Sequence, residues 1–375
     1  MNKKKAMPIV LKVILGLIGA LLLVVVGYVL YLLISYQRLP DNVELEINLS
    51  TTAEELEKVQ TGEEYSVVTY NLGFGAYTPD FSFFMDGGES SVAESKESVI
   101  DTIGGAADMV SKLNADFILF QEVDLDATRS YHVNQFDMLT EVFDEYTSNY
   151  AINYDSAFLF YPFHEPHGKS KAALSTFSKY EMTSALRRSL PISTSFSKFF
   201  DLDRCYSITR IPVKGGKELC LYNVHLSAYG NSDEIRAGQI GMLCEDMLAD
   251  YEKGNYVICG GDFNHDLKNR EFDPENEYSW AYPFPREMLP ESFSLGIDVF
   301  SDEEKSKMPD SARNADMEYV EEVTFTVTLD GYIISDNVEI TGYEHLYTGY
   351  LYSDHDPVLM RFKLSLNAKV NSSDK

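Results

Sequence analysis

Cysteine is scarce in this chain: four in 375 residues exclude a disulfide framework. Cys205, Cys220 and Cys259 lie in apolar, strand-like runs and Cys244 lies on a helix face, where a free thiol behaves as a small hydrophobe. None has metal-site spacing, and only a Cys205–Cys220 bridge between neighbouring strands stays open. Positive charge is also short, with 31 Lys and Arg against 59 Asp and Glu, a formal net charge of −28. Four Lys and no acid fall in the first 35 residues, so the remainder holds 27 basic against 59 acidic residues and carries −32. So acidic a domain disfavours nucleic acid, whose backbone is bound through Lys and Arg patches. Arg187-Arg188 and Lys169 to Lys171 are the runs available for a local basic groove, and each reads first as a solvated loop. No internal repeat appears.

Charge is missing altogether from Val13 to Gln37. A helix needs about 20 apolar residues to cross a bilayer, whereas a signal peptide's apolar region runs about 7–15. No small-x-small cleavage pattern follows Leu33-Ile34-Ser35-Tyr36, and no Cys before Cys205 is available for a lipid. The sequence therefore predicts an uncleaved single-pass anchor in the cell membrane. Lys3, Lys4, Lys5 and Lys12 keep the tail cytoplasmic, so residues 1–37 are tail and anchor and the large domain is extracytoplasmic. Gly16 and Gly19 are too close for a Gly-xxx-Gly dimer face, and oligomeric state is left open. Residues 38–63 read as an acidic stalk with one turn of helix at Thr52 to Lys58, residues 64–366 as the one large domain and 367–375 as a flexible tail.

Within the large domain, Tyr65 to Asn71, Asp116 to Val123, Tyr150 to Tyr154, Ala172 to Phe177 and Met182 to Ser189 read as strands, as do Tyr256 to Asp262, Val323 to Ile334 and Val358 to Leu366. Cys205 to Val213 and Glu218 to Leu226 flank Lys214-Gly215-Gly216-Lys217, a hairpin signal. Helical spacing marks Ser91 to Leu113, Asp137 to Phe143 and a helix capped by Ser232 that runs to about Glu252. Strands outnumber helices, and hairpins mix with strand-helix-strand units, which favours two mixed sheets packed together with helices outside.

Polar residues end these apolar runs in a definite order: Thr69-Tyr70-Asn71, Phe120-Gln121-Glu122-Val123, Tyr222-Asn223-Val224-His225, Gly260-Gly261-Asp262-Phe263-Asn264, Leu329-Asp330-Gly331-Tyr332 and Ser353-Asp354-His355. One Asp-His pair alone is usually a local hydrogen-bonding device. The ordered series resembles the endonuclease/exonuclease/phosphatase superfamily over roughly Glu64 to Lys363. That resemblance implies an α/β four-layer sandwich of two mixed β-sheets flanked by helices, here preceded by one transmembrane helix, with the site at one end of the sheets. Two segments exceed the compact family pattern: Gly73 to Ser91, rich in Phe and Tyr, and an acidic, aromatic insertion from Leu267 to Glu321. Loops beside a site commonly set substrate choice.

Hydrolysis of an anionic phosphoester needs positive charge on phosphate oxygens, an activated water and help for the leaving oxygen. By resemblance, Glu122 is a Mg²⁺ ligand, with Mn²⁺ as substitute, and Asn71 and Asp354 lie near the ion. His355 is the expected general base because imidazole titrates near neutrality and needs an acidic partner to fix its tautomer, and the resemblance implies that this partner is Asp330. His225, whose plain reading is a satisfied strand histidine, would protonate the leaving oxygen or stabilise the charged phosphorane, and Asp262 and Asn264 would hold water or phosphate. Asp356 departs from the family pattern and reads as a surface feature. His132, His164, His167, His265 and His345 match nothing, and His164-Glu165-Pro166-His167 reads first as a solvated loop, with an approach to substrate as the alternative. The expectation is a membrane-anchored, Mg²⁺-dependent phosphodiesterase or phosphatase acting on a lipid headgroup or small phosphoester. A nuclease, and a catalytically silent binding protein of the same fold, are the competing readings.

Overall fold

The computed structural model describes residues 8–36, 38–51, 56–199, 202–228, 233–270 and 280–365. The chain divides into two units, Met1–Arg38 and Leu39–Lys375. The first is one helix, α1 (Ile9–Ser35), whose 27 residues span about 40 Å at 1.5 Å per residue. It is long and apolar enough to cross a membrane, a test that a signal sequence near the N-terminus also passes.

The second unit opens with β1 (Val43–Glu44), β2 (Glu64–Asn71), α2 (Lys96–Ser111), β3 (Phe117–Ala127), α3 (Gln135–Val142), β4 (Thr147–Asp155) and β5 (Ser170–Ser178). It continues with β6 (Ser184–Ser189), β7 (Cys205–Pro212), β8 (Glu218–His225), α4 (Asp233–Glu252), β9 (Tyr256–Asp262) and β10 (Phe293–Leu295). Last come α5 (Asp302–Lys307), β11 (Ala312–Arg313), β12 (Thr326–Val327), β13 (Asp330–Ser335), β14 (Val338–His345) and β15 (Val358–Leu364). One sheet runs β14-β15-β2-β3-β5-β4 and the other β1-β6-β7-β8-β9-β13-β10. Each is mixed, with one parallel pair, β2/β3 and β8/β9, bridged by α2 and α4 respectively.

The sheets face one another across Val67, Phe117 and Leu119 on one side and Leu221, Ile258 and Ile334 on the other, all buried. Tyr332 Oη donates across that interface to the Val67 and Val358 carbonyls at 2.9 and 2.7 Å. Helix α2 packs its Val99, Ile103 and Val110 on the outer face of the first sheet, and α4 packs Ile240, Leu243 and Met247 on the second. The expected four layers are present. Gly260 permits the close approach, since a Cβ there would stand 2.7 Å from Leu119 Cδ1.

Several boundaries differ from expectation. The segment read as a stalk lies along the domain: β1 pairs with β6, Asn48 bridges Ser148 and Val59 bridges Val213. These contacts cover the otherwise open edge of β6 and bury Val59, so the domain begins near Leu39. Residues 56–58 are not helical, while 52–55, Ser232 and the 366–375 tail lie outside the described residues. The run Val323 to Ile334 is two strands, β12 and β13, rather than one. Strand β14 escaped the sequence reading because Glu339, Thr341 and Glu344 face outward and a bulge at Gly342 breaks its alternation. All four cysteines are free and buried; Cys205 stands opposite Ser189 and Cys220 opposite Arg210, which closes the question of a bridge.

Candidate active site

Strand register collects the polar residues at one end of both sheets. His225, Asp262 and Asp330 form a single row across β8, β9 and β13. In the facing sheet Asn71 pairs with Gln121 at the ends of β2 and β3. Beneath the row, Gln121 Nε2 donates to Asn223 Oδ1 at 2.8 Å, and Asn223 Nδ2 donates to the Phe120 and Ser175 carbonyls at 3.1 and 2.9 Å. This buried amide bridge ties the sheets together directly below the site.

Glu122 is re-aimed by a bulge: β3 loses register with β5 between Phe120 and Val123, and Glu122 takes φ 53°. A non-glycine residue in that region costs about 1–3 kcal/mol, a strain typical of functional positions. Asn71 Nδ2 donates to Glu122 Oε1 at 3.3 Å and to Asp262 Oδ2 at 3.1 Å, while its Oδ1 accepts the Gly73 N–H at 3.0 Å. Asp262 Oδ1 accepts the Asn264 N–H at 2.9 Å, and Asn264 Nδ2 donates to the Leu226 carbonyl at 2.9 Å.

His355 Nδ1 lies 2.7 Å from Asp330 Oδ2, and its Nε2 lies 3.8 Å from Asp262 Oδ2. On the other side of Asp262, His225 Nε2 stands 3.5 Å from Oδ2 and 4.0 Å from Glu122 Oε1. Burial, the largest influence on His355, opposes its charge, but Asp330, Asp354 and Asp262 together hold its pKa well above that of a free imidazole. Burial pushes Asp262 up, with Asp330 adding to it, and pushes His225 well down, with Arg204 and His355 adding. Glu122 is raised by burial first and by the Asp354 charge after it, against Arg129.

All eight residues expected at the site lie at this end of the sheets. Six of them, Glu122, His225, Asp262, Asn264, Asp354 and His355, line one cavity of about 760 Å³, a size suited to a small-molecule substrate. Asn71 and Asp330 are buried and bonded to those residues, Asn71 to Glu122 and Asp262 and Asp330 to His355. The donor set suits a hard divalent cation: Glu122 and Asp354 offer carboxylate oxygens to one cavity, the Asp354 charge opposes ionisation of Glu122, and the Asn71 amide sits beside Glu122. Donor atoms of Asp262, Asp330 and His355 also lie within 4.8 Å of one another. The 2.7 Å contact of His355 with Asp330 is a hydrogen bond, which leaves no room for an ion between those two.

Other participants escaped the sequence. Ser311, inside the insertion, donates to Asp330 Oδ2 at 2.7 Å and accepts the Leu329 and Asp330 N–H groups, each at 3.0 Å. Next to it Arg313 N donates to the Asp354 carbonyl at 2.8 Å, and Ala312 bridges His355, so the insertion backs the Asp354-His355 turn. Arg313 also binds the Thr78 and Phe81 carbonyls at 3.0 and 3.3 Å, joining the insertion to the aromatic loop after Asn71. Arg129, held by Asp124 at 2.9 and 3.1 Å and stacked 3.8 Å over Phe74, puts a buried cation in the cavity wall. An Asp inside β3 and an Arg five residues on, past the strand's end, carry no signal of such pairing in the sequence.

Three sequence readings are corrected. Arg187 is buried against the Ile152, Pro40 and Asp203 carbonyls and Arg188 pairs with Asp41 and Asp246, so neither forms a groove. His167 is buried in the cavity wall beside Phe83, not in a solvated loop. Asp356 is buried rather than a surface feature: it accepts the Thr348 hydroxyl and its N–H, the latter at 3.1 Å, and burial raises its pKa to about 6.

A two-sheet sandwich with Asn, Glu, Asp-x-Asn, Asp and Asp-His clustered at one end gives the fold and the polar groups of a phosphoester hydrolase. Residues 68–294 match the endonuclease/exonuclease/phosphatase family, and the chain belongs to it. Its members are phosphoester hydrolases, typically dependent on a divalent metal. No curated protein matches the sequence. Among solved structures the fold is similar to an endonuclease/exonuclease/phosphatase from Beutenbergia cavernae DSM 12333, at 14% identity and TM-score 0.56, covering 80% of this chain and 72% of that one. It is similar to ANGEL2, a 2',3'-cyclic phosphatase, at 14% identity and TM-score 0.54, covering 88% and 100%. The human Nocturnin catalytic domain with bound sulfate gives 13% identity and TM-score 0.52, covering 86% and 97%.

Proposed function

We propose that this protein is a membrane-anchored, Mg²⁺-dependent phosphodiesterase or phosphatase whose substrate is a lipid headgroup or small phosphoester. The observation that carries the reading is Asp262, whose carboxylate stands 3.5 and 3.8 Å from two imidazoles and is bonded to Asn71 and Asn264 in one cavity. When bound by Glu122 and Asp354 beside Asn71, the metal supplies positive charge to the phosphate oxygens and lowers the pKa of a water. Mn²⁺ would substitute for it.

Asp330 accepts the His355 Nδ1 proton, which leaves Nε2 as the atom that takes the proton of the attacking water. Asp262 and Asn264 orient that water and the phosphate. His225 Nε2 faces the same oxygens; burial keeps the ring neutral, so it donates a hydrogen bond that stabilises the charge developing on the phosphate rather than giving up a proton. One observation favours a second assignment: Asp330 and Asp354 hold His355 charged while burial raises Asp262. In that case Asp262 takes the proton and His355 donates to the phosphate.

The acidic charge supports a small or lipid phosphoester over nucleic acid. Helix α1 and the Lys residues before it support an anchor with the domain outside the cell. Turnover of bis-p-nitrophenyl phosphate should appear with Mg²⁺ and vanish in EDTA; turnover unaffected by EDTA would sink the metal reading. Protease added to intact cells should digest the domain, and a soluble protein with a new N-terminus near Gln37 would refute the anchor. Sphingomyelin, phosphatidylinositol, sugar phosphates and plasmid DNA, compared side by side, rank the substrate classes.

A further inference from the structure

Two polar side chains in the cavity wall have no part in the chemistry above. Asn153 is the extra residue of a bulge in β4, where pairing with β5 skips from Ile152 and Ala173 to Tyr154 and Ala172. A bulge re-aims a side chain, and here it turns Asn153 into the cavity. The residue is fully buried, yet neither Nδ2 nor Oδ1 has a hydrogen-bond partner. Arg204, immediately before β7, lines the same cavity at 5% exposure, and its Nε and Nη1 are likewise without partners. The two backbones adjoin, since the Cys205 thiol donates to the Ile152 carbonyl at 3.6 Å.

Buried polar groups are ordinarily paired, and a buried guanidinium with no carboxylate is costly unless something else supplies the charge. Acid is not in short supply in a chain of net charge −28, so the missing counter-charge at Arg204 among the described residues is a property of the site. A guanidinium only donates, and its planar fork matches phosphate oxygens; an amide in the same cavity wall can donate to the same anion and accept from a neighbouring hydroxyl.

We propose that Asn153 and Arg204 form a second anion subsite, which holds a phosphate group of the substrate other than the one being hydrolysed. The inference rests on the hydrolase reading above and narrows it: the substrate carries two phosphates on a hydroxylated carrier.

The test uses the full chain in detergent with EDTA, so that anion binding is read apart from turnover, and inorganic phosphate is the probe in calorimetry and thermal unfolding. The wild type should bind phosphate and be stabilised by it. Arg204→Gln should weaken binding about tenfold or more, the loss of a charge-assisted pair. Asn153→Asp, which adds a carboxylate to the cavity wall that holds the guanidinium, should abolish phosphate binding and raise the unfolding temperature without phosphate, and it remains informative if Arg204→Gln fails to fold. With Mg²⁺, both variants should keep kcat/KM for bis-p-nitrophenyl phosphate within about threefold, since that substrate has no second phosphate. They should lose the preference for thymidine 5′-(p-nitrophenyl phosphate) carrying a 3′-phosphate over the same compound without it. Competition by inositol 1,4-bisphosphate or by thymidine 3′,5′-bisphosphate supports the subsite and assigns its carrier, whereas competition by neither overturns it. Unchanged phosphate affinity in both variants, or none in the wild type, also overturns it. A wild type that binds phosphate but shows no Mg²⁺-dependent turnover refutes the hydrolase reading instead.

Discussion

Asp262 and Asp330 stand directly opposite one another on the antiparallel strands β9 and β13, both buried. Two carboxylates in one cross-strand pair repel, and the surroundings divide their duties. Asp330 is taken up by His355 and Ser311, whereas Asp262 accepts Asn71 and the Asn264 N–H and faces two imidazoles.

The pairing of His355 with Asp330 leads to non-additive kinetics. His355→Ala/Asp330→Ala should be scarcely slower than His355→Ala alone, because residues acting as a unit do not contribute independently. Asp330→Asn should lose less than His355→Ala and bind Mg²⁺ normally. If the two single losses multiply in the double variant under subsaturating substrate, the residues act independently.

Glu122→Gln should lose about 10²-fold or more of kcat together with most of its Mg²⁺ affinity, since one carboxylate is asked to hold the ion that stabilises charge. It should not lower stability, because burial and Asp354 both oppose the Glu122 charge. Retention of metal-dependent turnover by a folded variant removes Glu122 from the ion.

Ser311→Ala removes the hydroxyl that grips Asp330 and leaves the Leu329 and Asp330 N–H groups without their acceptor. The expected cost is about 1–3 kcal/mol in chemical unfolding, the penalty for buried groups left unpaired. A fall of about tenfold in kcat should accompany it as His355 loses its fixed orienter. Unchanged kcat at reduced stability would confine Ser311 to a structural role.

His167 supplies a pH signature away from the chemistry. Burial, with Arg129 adding to it, lowers its pKa from 6.5 to about 4. The folded protein therefore resists protonation that the unfolded chain accepts, so this contribution is complete above pH 6.5 and is lost as pH falls toward 4. The full span is worth about 3 kcal/mol at most. Equilibrium unfolding of His167→Gln between those limits should show a shallower pH slope than wild type; parallel slopes would show that the ring is protonated without penalty.

The two-sheet architecture was legible because it rests on local pattern. Apolar runs ending in Asn71, Glu122, His225 and Asp262 announce strands whose ends share an edge, and the Gly215-Gly216 hairpin, with both residues at positive φ, is written into its turn. The same local pattern failed for β14, whose outward faces are polar, and for the segment 38–63, whose edge-strand pairing depends on a β6 edge some 140 residues away.

By itself the sequence determined the order of the polar residues, the apolar span of α1 and the family. Tertiary structure alone decided which groups meet. Asp262 faces Asp330 through antiparallel register, and the bulges that turn Glu122 and Asn153 inward leave no mark in composition. Ser311 reaches Asp330 only because the insertion folds back against the Asp354-His355 turn. Periodicity and turn chemistry act over a few residues and can be read along the chain, whereas register, bulges and buried pairing are settled by packing between segments far apart in it.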